Sequence, residues 1–568
     1  MQPDYKTESN MSRCFFYVTI LLLAFIYYLS YIRHSFIQTD EGLILDPIFR
    51  ELHGEKWYVD FFAAHGPMYH VPIVYLSKVI GLSFMGYRIY FVFVRLIALG
   101  LLLSISQRMV PKSWSVGVVL PAIIAPSVML KTPMMLMQVL TAWLVFRFWE
   151  SKNKLWVFWL GVFSAFTFWI RVETIFPATI ISLVGLALER PGKGILLRQK
   201  IAIFLVGFVI CHVLLILLFP GIKTIFPFWM RFAFGGKIPT LGIAFPTLSL
   251  LTGPDRDIGR FLLVWLVVIS YFLVFVALLK NAVNRNFSEE TKKLAIIWLS
   301  GVLFSYSAFY QSNVSHFLQV GAPAYLLGGY IFYNLTKHCN SWAKKTLTRA
   351  IAITISLTFS VYVLLPGKVH ETWSITARKI YKAPIYSWLG TVFYLPDKAQ
   401  EIQEVIDYIQ KNTNTHDYVV SIPEIMLIAV MANRRNSCMA SPLYPRIDKI
   451  VGKENEKKLY EGVLKAELIV YFERATRLEV FRPKNQRFHV YLPVLYNLIV
   501  ENYTFEKRIG DYIILRRGKD GSGATSAFME GWEEYKYGSK EVARAYFEKA
   551  IAQGGPHEEI MPLLTERK

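Results

Sequence analysis

Apolar residues in this chain recur in runs of about 17–22, the length a helix needs to cross a hydrocarbon core of about 30 Å. Only a helix can cross lipid as an open-ended element, because lipid offers no partner for free backbone N–H and C=O groups. The runs predict about 11 spans, near 14–33, 89–107, 115–131, 133–149, 155–171, 174–189, 201–220, 260–280, 293–310, 317–335 and 348–366. The first lacks a small-residue cleavage site and reads as an anchor, not a removed signal.

Composition agrees with this reading: 54% of the 568 residues are hydrophobic and 18% are charged, against about 25% charged in soluble proteins. A net charge of +21 invites a nucleic-acid partner, but the distribution of the cations argues against one. Many lie in short links between spans. Taken alternately, one set of links holds Lys6, Arg13, Arg108, Lys112, Arg147, Lys152 and Lys154, and continues through Arg190, Arg198, Lys280, Lys292 and Lys345. The other set is longer and poorer in Lys and Arg. The positive-inside rule then places the N-terminus in the cytoplasm of a plasma or inner membrane. An odd number of crossings puts everything after about residue 367 outside the cell; an even number would invert the tail but leave the first loop outside. Of Cys14, Cys211, Cys339 and Cys438, only Cys438 falls in the outer soluble region, so no internal disulfide is implied.

Three parts follow: an all-α membrane region over 1–366, a soluble region over 396–518 and a helical segment over 524–568. Two long outer loops, 34–88 and 221–259, interrupt the membrane region. The soluble region opens on a helical pattern that puts Ile402, Val405, Ile406 and Ile409 on one face. β-like runs come next at 418–422, 467–472 and 512–517, and a small α/β domain is expected. In the last segment Gly531, Gly538, Ala543, Phe547 and Ala550 are spaced as in one tetratricopeptide-like repeat. A generic terminal helical hairpin is the competing reading. One such unit cannot bury its own apolar face, so it docks on the preceding domain or meets a protein partner.

The most informative stretch is the first outer loop. Thr39-Asp40-Glu41-Gly42 leads into a predicted amphipathic helix over 43–53, with Leu43, Ile44, Ile48, Phe49 and Leu52 apolar and Gly54 as its stop. Asp40 suits the cap of that helix. Trp57, Tyr58, Phe61 and Phe62 suit a membrane–water boundary, and Gly66-Pro67 breaks the chain before a second apolar segment. The loop is therefore expected to lie along the membrane surface.

Asp-Glu-Gly after the first span, then Arg50-x-Leu52-x-Gly54-Glu55, Tyr58-x-Asp60-Phe61-Phe62 and Gly66-Pro67, resembles the lipid-linked glycosyltransferases of the GT-C superfamily. The branch concerned is that of the dolichyl-phosphate-mannose protein mannosyltransferases and bacterial aminoarabinose transferases. The resemblance is dense over 40–90, diffuse to about 335 and absent from the tail. It implies a sugar donor on a polyprenyl phosphate, an outer-face saccharide, lipid or protein acceptor, and a first-loop acid as catalytic base. That role falls on Asp40, with Glu41 beside it; Arg50 and Tyr58 stand at matching positions expected to contact substrate. The chemistry is sound: a hydroxyl is a poor nucleophile until a carboxylate takes its proton, and a phosphate leaves readily if cations stabilise it.

Other polar groups fall on the same face. Arg171-Val172-Glu173 joins the fifth and sixth spans and resembles the family's Arg-x-acid; Arg171 could hold the donor phosphate and Glu173 orient Arg171 or the acceptor, or the two could form an interfacial pair and nothing more. His316 is a candidate ligand contact, although Gln311 and Asn313 replace the charges that usually precede it in related proteins. Lys237, in a glycine-rich basic stretch of the second long loop, is a candidate phosphate clamp. Arg88 and Arg95 near the second span are expected to snorkel to an interface, and His212 to be a hydrogen-bonded structural residue. Zinc-spaced Cys/His, a phosphate-binding Gly-Lys-Ser/Thr loop and a serine nucleophile motif are absent from the sequence. Asp40 and Glu41 could take a divalent cation, as in some superfamily members, but none is expected in this branch. A transporter or flippase is the weaker alternative, because no acid sits mid-span and no internal halves are evident. A non-catalytic envelope assembly protein on the same scaffold is the third.

Overall fold

The computed structural model describes residues 10–35, 37–124, 131–189, 196–219, 258–305, 320–339, 381–423, 425–440, 451–472, 488–519 and 522–565, with a few isolated positions between them. The described chain is mostly helical and divides into two compact units. One comprises Met1–Ser35, Met85–Leu218 and Ile243–Ile380; the other comprises Phe36–Phe84, Phe219–Gly242 and Tyr381–Lys568. The first loop thus belongs to the same unit as the C-terminal region.

In the membrane unit the expected spans fall on helices Asn10–Leu29, Phe84–Ser106, Lys112–Ile124, Thr132–Ser151, Lys154–Ile170, Ile175–Leu188, Leu197–Leu218, Ile258–Val283, Glu289–Phe304 and Ala322–Lys337. The last predicted span, 348–366, lies outside the described residues. By length and composition, Phe84–Ser106, Leu197–Leu218 and Val264–Val283 can cross a membrane. The outward side chains of the last two, such as Leu205, Val209, Leu214, Phe272 and Leu273, are apolar and exposed, a surface that lipid suits and water does not. Inside, backbones approach closely where side chains are small: a Cβ on Gly161 would stand 2.0 Å from the Phe204 carbonyl oxygen.

Arg88 and Arg95 do not snorkel. Both are buried. Arg88 donates to the carbonyls of Ile32 at 2.6 Å and Ser35 at 2.9 Å, and Arg95 to that of Ala122 at 2.8 Å. The carbonyls just past the first helix need donors, and a forked guanidinium supplies two at once. Within the same unit His212 accepts a hydrogen bond from the Trp169 indole at 3.1 Å.

In the other unit, strands β1 (Ala383–Ile385) and β2 (Val392–Tyr394) form an antiparallel pair. Helix Pro396–Asn412 follows and buries Ile402, Val405, Ile406 and Ile409, the face its periodicity predicts. Strands β3 (Val419–Ile422), β4 (Leu468–Tyr471), β5 (Tyr503–Ile509) and β6 (Tyr512–Arg517) make a sheet of order β3-β4-β6-β5. β3 and β4 run parallel, while β6 is antiparallel to both β4 and β5. The hydrophobic runs mark β3, β4 and β6 in the sequence. β5 escapes notice because Glu506, Lys507 and Arg508 interrupt it; a bulge between Phe505 and Lys507 absorbs the mismatch with β6.

Helices Ala524–Tyr537 and Lys540–Ala552 pair as a hairpin with Ala543, Phe547 and Ala550 buried. Its apolar face docks on the sheet: the rings of Phe505 and Phe528 lie 4.4 Å apart, and the Phe505 amide donates to the Thr525 hydroxyl at 3.0 Å. Glu533, fully buried, accepts from the Tyr471 hydroxyl at 2.8 Å and pairs with His489 at 2.6 Å.

Candidate functional site

The acids of the first loop sit on helix Gln38–Leu52, hereafter the acid helix. It begins at Gln38, five residues before the predicted start, and its N-cap is Ile37 with no side-chain cap bond. Asp40 is therefore not the cap but a member of the first turn, as is Glu41. The partial positive charge of a helix N-terminus favours two carboxylates there.

The two acids differ in what they can do. Glu41 is fully buried, and its Oε2 accepts from the Ile37 amide at 3.3 Å, closing the turn on itself. Asp40 is only half-buried. Of the pair, Asp40 is the one a substrate can approach.

Toward its other end the helix turns polar groups inward. Arg50, 3% exposed, donates Nε to Glu55 Oε2 at 2.6 Å, Nη1 to the Cys438 carbonyl at 2.6 Å and Nη2 to the Asp60 carbonyl at 3.4 Å. Its guanidinium also lies 4.6 Å from the Phe61 ring centre. Asp46 is buried beside it, and its Oδ1 has no hydrogen-bond partner. Burial pushes the Asp46 carboxyl up to about 7; Arg50 opposes that shift, Glu55 adds to it and a hydrogen bond from Asn436 opposes it. Burial likewise pushes the Cys438 thiol up to about 12.

Protein covers three of the four rings of the aromatic run, and Trp57 is half-buried. Tyr58, Phe61 and Phe62 are all buried, in the same unit as the C-terminal region. The Phe62 amide donates to the Met439 carbonyl at 2.7 Å, making a short bridge beside Ala440. Tyr58 closes its turn with φ near 65°, and its hydroxyl donates to the His65 carbonyl at 3.4 Å. These aromatic rings find an apolar environment in a protein core and not in lipid. His70, fully buried, stands between the Leu43 carbonyl (3.2 Å) and the Gly66 carbonyl (3.3 Å) and links the acid helix to helix Pro67–Ile80. Burial pushes its imidazole down to about 4 against the pull of those two carbonyls, so it is neutral at pH 7 and donates to only one of them.

Arg171 and Glu173 lie in the membrane unit at the turn between helices Lys154–Ile170 and Ile175–Leu188, where they form an ion pair with both side chains part-exposed. His316 and Lys237 lie outside the described residues. Asp40, Glu41, Arg50 and Tyr58 thus share one unit, and Arg171 and Glu173 pair in the other. Among the described residues no group of three or more His, Cys, Asp or Glu is placed to hold a metal ion. The sequence pattern carried no sign of Asp46 or Gln38 as members of this neighbourhood; the one available signal was a carboxylate on the apolar side of an amphipathic helix.

No protein-family model matches the chain, and no curated protein does. Among solved structures it is similar to ArnT from Cupriavidus metallidurans bound to undecaprenyl phosphate, at 12% identity and TM-score 0.49 over 89% of this chain and 98% of that one. It is also similar to the archaeal oligosaccharyltransferase AglB from Archaeoglobus fulgidus in complex with an inhibitory peptide and a dolichol-phosphate, at 11% identity and TM-score 0.46 over 89% of this chain and 74% of that one.

Proposed function

We propose that this chain moves a sugar from a polyprenyl-phosphate donor to a hydroxyl of a saccharide, lipid or protein acceptor on the extracytoplasmic face of the membrane. The observation that carries this reading is the contrast within Asp40-Glu41, inside a loop motif that resembles that family: Glu41 is buried and folded back on Ile37, while Asp40 stays accessible. In this mechanism the Asp40 carboxylate takes the acceptor O–H proton as the oxygen attacks the anomeric carbon. The bond from that carbon to the phosphate oxygen breaks, and polyprenyl phosphate leaves with the electron pair. One displacement inverts the anomeric centre. The departing phosphate needs a cation to stabilise it; Arg171, whose guanidinium pairs with Glu173, is the candidate that the sequence offers. The reading includes about 11 spans, a cytoplasmic N-terminus and a tail outside.

The test is transfer by the purified chain in lipid nanodiscs, with labelled polyprenyl-phosphate sugars and an envelope extract as acceptor. Asp40→Asn is expected to reduce kcat by about 10²–10⁴-fold, the usual range for a general base, with the acid helix intact by amide exchange. Equal transfer by Asp40→Asn and wild type would remove Asp40 from this role.

A further inference from the structure

We infer that the C-terminal α/β region positions the catalytic acid, with Tyr512 and the buried helix Leu427–Met431 as the positioning elements. The inference deepens the proposed function and rests on Asp40 as the base.

Two contacts bracket Asp40. Two residues before it, Gln38 Nε2 donates to the Tyr512 hydroxyl at 2.8 Å. Tyr512 is a fixed point: it begins β6, is 1% exposed, and stacks on Phe472 with ring centres 4.6 Å apart and planes 27° apart. Two residues after Asp40, Gly42 presses on the start of helix Leu427–Met431, every residue of which is buried. A Cβ at Gly42 would stand 2.7 Å from Met426 Cγ and 3.0 Å from the Leu427 amide nitrogen. That approach is closer than any side chain tolerates, which gives a physical reason for glycine after the acid pair. The far end of the acid helix is tied to the same region, since Arg50 Nη1 binds the Cys438 carbonyl at 2.6 Å.

Neither Tyr512 nor Met426 lies in the stretch that resembles the family; both come from the tail. A base works only at hydrogen-bond reach of its proton, and a displacement of about 1 Å can cost about 10²-fold in rate. Gln38 and Gly42, four residues apart, share one face of the helix turn; a phenol in the sheet and an apolar helix hold that face, while Asp40 projects from the opposite face and remains accessible. Tyr512 and Leu427–Met431 thereby act through Asp40 and touch no substrate.

The full chain in nanodiscs, as wild type, Tyr512→Phe, Gln38→Ala, their double variant and Gly42→Ala, is examined by amide exchange over residues 41–46 and by transfer kinetics. Tyr512→Phe keeps the ring stack and deletes only the hydroxyl, so folding is not at issue. We expect amide exchange over 41–46 to rise while β6 stays protected, and kcat to fall about tenfold with donor KM within about twofold. The double variant should be no worse than the weaker single, as for two ends of one bond. Gly42→Ala should lower kcat further, with the same unchanged KM. Unaltered exchange in Tyr512→Phe overturns the inference, and so does faster exchange with unchanged kcat. If wild type transfers no sugar from any donor, the reaction reading and its catalytic acid fall, while exchange still decides whether Tyr512 holds the turn.

Discussion

Arg50 Nη1 donates to the carbonyl of Cys438 at 2.6 Å, a bond between residues 388 apart in sequence. It is the centre of a buried cluster that also contains Asp46, Glu55 and Asn436. Through it the first loop and the segment before helix Lys453–Leu464 become one piece of structure.

Replacing Arg50 by Ala leaves Glu55 and the Cys438 carbonyl without a donor in a nearly closed site. Breaking one side of a buried charged pair costs about 3–5 kcal/mol, and a loss of that order is expected here, since the side chains of Arg50 and Glu55 are only 3% and 14% exposed. Denaturant titration of the nanodisc-embedded chain reads the loss. Maleimide labelling gives an independent signal, because Cys438 is buried in the native fold and should become reactive in Arg50→Ala well below the wild-type unfolding midpoint.

Asp46 predicts a pH dependence whose sign follows from its raised carboxyl, about 7 in the folded chain against an ordinary 3.8. Between those values the folded state keeps a proton that the unfolded state releases, so stability falls as pH rises through the window and levels off above about 7. Asp46→Asn, neutral throughout, should be less sensitive to pH between 4 and 7 and more stable than wild type at pH 8. The thermal midpoint measured against pH for both proteins checks this; parallel curves would rule Asp46 out as the source.

Glu41→Gln separates the two acids. Glu41 closes the first turn on the Ile37 amide, and a glutamine's amide oxygen can still accept that bond, so the substitution removes only a negative charge that the helix N-terminus favours, at about 0.3–1 kcal/mol. The expected phenotype is a small stability loss with a kcat decrease well short of that of Asp40→Asn. Matching kcat losses in the two variants would make Glu41 a partner in the proton transfer.

Glu533 predicts how the terminal hairpin is held. Its buried carboxylate serves both the buried Tyr471 hydroxyl and the part-exposed His489, so Glu533→Leu leaves the Tyr471 hydroxyl without its partner, at about 1–3 kcal/mol, and releases His489 to solvent. Limited proteolysis should cut the variant near 518–523 at protease levels that leave wild type whole. Tyr471→Phe, which removes only one of the two contacts, should fall between them.

Much of this protein is determined by the sequence alone, because the controlling physics is local. A run of apolar residues as long as the bilayer is thick favours a helix, which is why predicted spans fall on helices such as Phe84–Ser106 and Leu197–Leu218. The buried face of helix Pro396–Asn412 and the strands β3, β4 and β6 are likewise written in periodicity and branched side chains. Even Asp40 and Glu41 stand out by their place after the first span. Tertiary structure decided the rest. A sequence shows Tyr58, Phe61 and Phe62 as aromatic but not whether lipid or protein covers them; here protein does. It shows Arg88 as a cation near a span end but not the open carbonyls of Ile32 and Ser35 that draw it inward. And it gives Gly42 and Gln38 no partners, since Met426 and Tyr512 lie hundreds of residues downstream. Hydrogen bonds and close packing act over a few ångströms in space whatever the separation along the chain, so only the folded molecule reveals which distant residues hold the acid turn.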